Sequence, residues 1–402
     1  MTKPSKTTSN RRKKSPPIEA SENLLALAEQ LLLSTHALEH YQWQTQLADA
    51  VHQTFEQHPK HISLAIDKAE HLGRETTADV LLDACEQILE CRPITLDGQK
   101  YQQMLVLIPI LLNASHQPYC GKLPPSLAQE VLRHLNEQVM CSHSDTTLHP
   151  YLYRPEQFPD DMLAMYQFSE RLFLSHQQNK TATPLPSFES DDDNWSPVHM
   201  RCLFALARVP EGKPFFKWQE QLGQHEACFL GWREQASKVF AALLPGCQID
   251  LILPGPMHHA LEASQRQNRF FVLASAVNHM FEHENLSHAQ MQAILAEFKH
   301  PEGDFAEIRI SLKAANQERI SHGLTWIPFG DENAQLLLNH CQTLLNDIGV
   351  KNVLILDESY TTEYCDDCGS ALFPDEEGEL HHLGNEDDDD EHSEAPPIRQ
   401  LH

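Results

Sequence analysis

The chain has 402 residues, 41% of them hydrophobic, and a formal net charge of −27. This length allows two or three domains with their own cores, and the apolar content excludes a mainly disordered chain. The acidic charge argues against a broad nucleic-acid-binding surface, because such a surface would repel phosphate backbones.

The N-terminal stretch is basic, with six Lys and Arg side chains and no acid in residues 1–18. We predict a disordered arm there, the one segment suited to nucleic acid or an acidic surface. It runs into prolines rather than an apolar segment, so we predict no export signal. The longest apolar run, Met104–Leu112, is too short to span a membrane. These features predict a cytoplasmic protein.

Eight of the ten cysteines are isolated among apolar neighbours, and we predict that they are reduced core residues. They are Cys85, Cys91, Cys120, Cys141, Cys202, Cys228, Cys247 and Cys341.

Residues 19–176 predict an all-α helical domain. Leu24, Leu27 and Leu31 share one helical face, and similar patterns recur up to residue 174. The apolar segment Tyr101–Ser115 predicts a buried helix kinked at its proline. Residues 177–197, rich in proline and aspartate, predict a linker.

Residues 198–360 predict an α+β domain. Alternating or apolar runs predict strands at Arg201–Val209, Gln248–Leu253, Phe305–Ala314, Ile320–Pro328 and Lys351–Leu356. Helical periods predict helices at Ala227–Leu244, His258–Gln267, Phe271–Glu284, Ser287–His300 and Asn333–Ile348. From residue 248 onward the order β-α-β-β-α-β predicts a ferredoxin-like fold with extra helices.

Residues 361–383 predict a short zinc-ribbon-like turn. Cys365 and Cys368 stand at the spacing that places two thiolates on one tetrahedral ion, and the following glycine suits a tight turn. The nearest nitrogen ligands are His381 and His382, of which we expect one to bind the same structural zinc, because adjacent side chains of an extended chain point apart. The fourth ligand stays open: His392, a carboxylate or a group from another subunit.

Two other interpretations of this turn are open. A redox dithiol is disfavoured because Asp366 and Asp367 between the thiols raise the thiolate pKa. A turn with no ligand role is the second alternative, since no other C-x-x-C pair is present. The acidic residues 384–402 predict a disordered tail.

His279 and His283 fit the pattern H-x-x-E-H, in which two histidines share a helical face. In a chain with 25 histidines the match carries little weight, and we predict a solvated face instead. We likewise predict that His258 and His259 lie at the exposed start of a helix.

Three segments of the second half carry a resemblance. They are LFALARVPEGKPFFKWQE from Leu203, LLPGCQIDLILP from Leu243 and YCDDCGSALFPD from Tyr364. They resemble a family of uncharacterised proteobacterial proteins labelled as a domain of unknown function, over about residues 20–383. The resemblance implies a bacterial cytosolic setting and no particular activity. The acidic run at residues 386–391 departs from it.

The sequence therefore predicts a non-catalytic protein-binding or regulatory factor with a structural zinc site and a protein partner, without a membrane or nucleic-acid role. The alternative is a metal-dependent hydrolase that uses histidines of the second domain, namely His258, His259, His279 and His283.

Overall fold

The computed structural model describes residues 16–186, 198–221, 223–300, 306–329, 332–366 and 369–383. These residues form an α+β structure, as predicted. Most of the predicted basic arm, the acidic tail and Cys368 lie outside the described residues, whereas residues 16–18 begin the first helix. In the described ranges, no helix combines the length and the apolar character needed to cross a bilayer.

From residue 16 onward, four helices precede the first strand, and each buries an apolar face in one common core. They are α1 (Pro16–Leu33), α2 (Ala37–Gln57), α3 (Lys60–His71) and α4 (Glu75–Glu90). In α2 the buried positions Leu47, Val51 and Phe55 follow the predicted spacing. Gly73, with φ of +66°, lies just beyond the end of α3, where glycine adopts the left-handed conformation without strain.

The first sheet has seven strands, all paired antiparallel. They are β1 (Cys91–Leu96), β2 (Gln99–Asn113), β3 (Gly121–Lys122), β4 (Asp145–Tyr153), β5 (Val198–Pro210), β6 (Gln248–Leu251) and β7 (Gly255–Pro256). Strand β2 pairs with β5 on one side and with β1, β7 and β6 in turn on the other. Because β5 pairs with β2 from Tyr101 to Asn113, one sheet spans the predicted boundary at 177–197, and the prediction of an all-α region over 19–176 is wrong.

Helices cover both faces of this sheet. Those between β3 and β6 are α5 (Pro125–Gln138), α6 (Met162–Gln177), α7 (Lys217–Glu220) and α8 (His225–Leu243). In β2, Leu105 and Leu107 face the core of α1–α4 and α6, while Val106 and Ile108 face the core of α5 and α8.

This double burial explains why the predicted helix at Tyr101–Ser115 is wrong. A strand buried on both faces has a continuous apolar run, which does not distinguish it from a buried helix. Pro109 lies between the residues of β2 that pair with β7 and those that pair with β6. Its missing N–H therefore interrupts neither of these two ladders.

The second sheet follows a long helix. Its elements are α9 (Met257–His283), β8 (Met291–Lys299), β9 (Ala306–Ala314), β10 (Ile320–Trp326), α10 (Ala334–Asp347) and β11 (Asn352–Thr361). The strand order is β10-β9-β8-β11, with β11 parallel to β8 and the other pairs antiparallel.

The ferredoxin-like prediction is wrong in two respects. The strand beginning at Gln248 belongs to the first sheet, and the predicted helix Ser287–His300 is largely strand β8. The two helices predicted at 258–267 and 271–284 form the single helix α9.

The two faces of β9 differ in chemistry. Ile308, Ile310 and Leu312 pack with α9 and α10, which confirms the predicted alternation. The opposite face carries four buried polar side chains, Glu307, Arg309, Ser311 and Lys313. A C-terminal hairpin of β12 (Leu372–Pro374) and β13 (Leu380–His382) packs on that polar face.

Candidate metal centre

His279, Glu284 and His322 meet where the end of α9 passes the start of β10. One donor atom of each residue lies within 4.8 Å of the donor atoms of the other two. The rings of His279 and His322 are 5.1 Å apart and nearly perpendicular, at 85°. Two imidazoles and a carboxylate therefore face one another at this junction.

The register of β10 places His322 in this group. A bulge between Ile320 and His322 shifts the pairing, so that His322 lies opposite Leu312, on the helix-facing side of the sheet. Leu324 and Trp326 follow at alternate positions on the same face. His322 thus occupies a core position at the end of a strand, beside the last turn of α9.

The hydrogen bonding of the centre is incomplete. His322 is 7% exposed, and neither its Nε2 atom nor the Nδ1 atom of His279 has a hydrogen-bond partner among the described residues. Glu284 Oε2 accepts a hydrogen bond of 3.0 Å from Ser321 Oγ, and Glu284 Oε1 lies 3.7 Å from His322 Nε2. Buried nitrogens of this kind normally have a partner.

Burial favours the neutral form of both imidazoles. Burial is the larger of two causes that lower the pKa of His322 to about 4, and the neighbouring His279 is the smaller one. Burial and then His283 lower the pKa of His279, partly opposed by Glu284. A neutral imidazole has a free lone pair, which is the form that binds a metal ion.

The position at the C-terminus of α9 also favours a cation. Glu284 is the C-cap residue of the helix, where the helix dipole presents partial negative charge. A zinc ion with bonds of about 2.0–2.2 Å holds its ligands roughly 3.3–3.6 Å apart. The exposed Glu284 side chain can make the small movement that this requires.

The histidine predictions of the sequence are met in part. His283 is exposed, as predicted, but His279 is half-buried against His322, with ring centroids of His279 and His283 4.6 Å apart. His258 lies near the other end of α9, 21 residues from His279 and so roughly 30 Å away along the axis. His259 is exposed beside it. The four histidines of the predicted hydrolase therefore do not converge.

The predicted thiolate turn has a tight backbone. The Cys365 N–H donates to Ser370 O at 2.7 Å, and the Gly369 N–H donates to Cys365 O at 2.8 Å, with φ of +70° at the glycine. Since Cys368 lies outside the described residues, a pair of sulfurs on one ion stays a prediction.

The two C-terminal histidines lie on β13. His381 pairs in register with Phe373, and its Nε2 atom is 2.7 Å from Asp375 Oδ2. Asp375, Glu379 and His381 form a donor group of their own, at the end of β12 away from Cys365. His382 lies opposite Leu372, one residue closer to the thiol-bearing turn.

Comparison with known proteins assigns the chain to a family but not to an activity. No curated protein and no solved structure matches the chain. The family described as a protein of unknown function, DUF2863, matches residues 7–395, so the chain belongs to that family.

Proposed function

We propose that the protein binds a divalent transition-metal ion of the zinc class through His279, Glu284 and His322. Two imidazole nitrogens and one carboxylate oxygen are a donor set that suits zinc, and three protein ligands leave a position for water or a fourth ligand. His283, whose ring lies 4.6 Å from that of His279, is a candidate for that position.

The observation that carries this proposal is the pair of buried imidazole nitrogens without a hydrogen bond, facing a carboxylate. An unsatisfied buried group of this kind costs about 1–3 kcal/mol. An ion pair between His322 and Glu284 would need a protonated imidazole, and the pKa of His322, about 4, keeps that ring neutral at pH 7. A metal ion supplies the missing partner for both nitrogens.

Binding is better supported than hydrolysis. A hydrolase needs a cleft that holds its substrate beside the metal. Two cavities in the described part of the chain, of about 480 and 250 Å³, are lined by residues that flank the first sheet, such as Leu127 and Pro245 in one and His149 and His176 in the other. Neither cavity includes a residue of the metal centre.

The test compares zinc affinity in matched pairs of full-length variants, after metal has been removed with a chelator. We expect His279→Gln to weaken zinc binding at this centre by at least about tenfold, since loss even of an outer-shell partner costs 10–100-fold. His259→Gln, at an exposed position near the other end of the same helix, is the control for general effects of a lost histidine. Equal zinc affinities and zinc contents for wild type and His279→Gln would disprove this proposed function.

A second candidate function is the structural zinc predicted at Cys365 and Cys368, with His381 or His382. The tight turn closed by Gly369 supports it, because such turns present two thiolates to one ion. Cys365→Ser should then lower the zinc content of the protein, and Cys247→Ser should not. The protein partner and the cytoplasmic setting stay predictions of the sequence.

A further inference from the structure

A second group of metal-ligand side chains lies beside the first sheet, where the loop between α5 and β4 meets α7. Cys141, His143 and Glu220 each place one donor atom within 4.8 Å of the donor atoms of the other two. His143 Nδ1 lies 3.6 Å from Glu220 Oε1. Cys141 was predicted from the sequence as a core residue and is buried as expected, but Glu220 and Lys217 also act electrostatically on its thiol.

A short main-chain ladder fixes this arrangement. The Cys141 N–H donates to Phe215 O at 2.9 Å, and the Lys217 N–H donates to Val139 O at 3.0 Å. These bonds hold the chain that leaves α5 against the chain that enters α7. Because Glu220 is the last residue of that single-turn helix, its carboxylate is held close to the thiol.

The hydrogen bond of His143 determines which nitrogen is free. His143 Nε2 lies 2.9 Å from the carbonyl oxygen of Pro214, which can only accept, so Nε2 carries the proton. In the neutral ring Nδ1 then has a lone pair, and this lone pair faces Glu220. A backbone carbonyl that orients an imidazole in this way is a common outer-shell partner of metal-bound histidine.

The same three residue types also occur in cysteine hydrolases, but the geometry here opposes nucleophilic attack. Cys141 is 3% exposed, so a substrate does not reach its sulfur. The proton-bearing nitrogen of His143 points to Pro214 and is not available to a leaving group. A buried thiol, an imidazole lone pair and a carboxylate instead form a donor set that suits a metal ion.

We propose that Cys141, His143 and Glu220 bind a second divalent metal ion of the zinc class, independently of the centre at α9. Cys228, a buried thiol in the first turn of α8, interacts electrostatically with Cys141 and is the candidate fourth ligand. Thiolate and imidazole ligands with one carboxylate favour zinc over magnesium or calcium, which prefer oxygen donors. When the ion binds, the Cys141 thiol loses its proton to solvent and the sulfur bonds to the metal.

The test uses Co²⁺ as the probe on the full-length protein, because thiolate-bound Co²⁺ gives an intense charge-transfer absorption that imidazole and carboxylate ligands do not give. His143→Gln retains an N–H for Pro214 but removes the imidazole ligand, and Glu220→Gln acts at an exposed side chain, so both should fold. We expect each to weaken the thiolate-bound Co²⁺ by at least about tenfold, and Cys141→Ser to remove the part of the absorption that arises from the Cys141 thiolate. Glu226→Gln, an exposed acid on α8, is the control.

Two further variants distinguish metal binding at Cys141 from metal binding at the C-terminal turn and at the α9 centre. Cys365→Ser removes any absorption that arises at the C-terminal turn, and His279→Gln removes only the α9 centre, so the Cys141 site should survive both. If His143→Gln and Glu220→Gln bind thiolate-linked Co²⁺ as wild type does, the proposal is overturned. It is equally overturned if Cys365→Ser alone abolishes the whole absorption.

Discussion

The Arg309 guanidinium donates a hydrogen bond of 2.5 Å to the carbonyl oxygen of Leu372, and so ties the second sheet to the C-terminal hairpin. The same Nη1 atom donates to Glu363 O at 2.8 Å. The guanidinium carbon also lies 4.1 Å from the ring centroid of Phe298 and 5.3 Å from that of Tyr364. Groups of the chain itself therefore hold the hairpin on the sheet, whether or not the thiols of the preceding turn bind an ion.

Replacing Arg309 should release this hairpin. In Arg309→Met, the Glu307 carboxylate, 2.7 Å from the guanidinium and 4% exposed, is left buried without its ion pair. We expect the free energy of unfolding to fall by about 3–5 kcal/mol, as for other broken buried pairs. Urea unfolding measures this loss. Arg319→Met, at an exposed position between β9 and β10, is the control, and a loss no larger than that of the control would disprove the role of Arg309.

Gly323 allows the hairpin to approach β10 closely. A Cβ atom at this position would lie 2.2 Å from Leu383 Cδ1 and 2.6 Å from Phe373 Cε2. We expect Gly323→Ala to destabilise the protein by about 1–3 kcal/mol, the usual cost of overpacking. In Gly255→Ala the nearest atom, Ala260 Cβ, would be at 3.8 Å, an ordinary contact. Thermal melts of the two variants should differ, and equal melting temperatures would contradict the close approach.

Local signals predicted those elements whose ends and faces are set by nearby residues. The Asn333 side chain caps α10 by accepting from the Leu336 N–H at 2.9 Å, and Gly349 ends that region with φ of +103°. The alternating strands β9 and β10 were also predicted within a few residues. In these cases one face is apolar and the other polar, so the period of the pattern is unambiguous.

Strand β8 shows why other predictions failed. Ser287 does begin a capped turn, with its N–H donating to Gln290 Oε1 at 3.0 Å, but that turn is three residues long. The segment that follows pairs with β9 and β11 and is buried on both faces, so its apolar run has no strand period.

The candidate site was only half visible in the sequence for a similar reason. His279 and Glu284 stand near each other on one helix end, and the H-x-x-E-H pattern drew attention to the first. His322 joins them through the bulge and pairing register of β10, which depend on contacts with a distant segment. The one local signal for the burial of His322 was its alternation with Leu324 and Trp326 on an apolar face.

Buried histidines outside the metal centre should make the protein sensitive to mild acid. Burial, named first among the causes at each position, lowers the pKa of three imidazoles to about 4: His149, His199 and His258. Between pH 6.5 and 4 the unfolded chain therefore binds protons that the folded protein does not, so stability is lost as the pH falls through this window.

The variant His149→Gln measures how much one of these imidazoles contributes to the pH dependence of stability. His149 is 3% exposed, and its Nε2 atom lies 2.7 Å from the Tyr153 hydroxyl, a hydrogen bond that Gln can also form. We expect the slope of the unfolding free energy against pH to be smaller than in wild type by up to about 1.4 kcal/mol per pH unit between pH 6.5 and 4. Urea titrations at several pH values, with chelator present, measure it. Identical slopes would show that His149 takes up its proton equally in both states.

Zinc should stabilise the folded protein through the centre at α9. A ligand present at one hundred times its dissociation constant adds about 2.7 kcal/mol to the free energy of unfolding. Glu284→Gln should lose much of this gain, because the amide is a poorer ligand, although it can still accept from Ser321. Glu282→Gln, an exposed acid on the same turn, should gain as much as wild type. A Glu284→Gln protein that zinc stabilises as strongly as wild type would contradict the ligand role.

The most direct measurement is anomalous X-ray scattering at the zinc edge from crystals of the full-length protein grown with zinc. We expect a peak between His279, Glu284 and His322, about 2.0–2.2 Å from one nitrogen of each imidazole and from a carboxylate oxygen. The proposed metal centre would be contradicted if zinc peaks appeared elsewhere but not at this junction, and if the imidazole nitrogens there still had no partner.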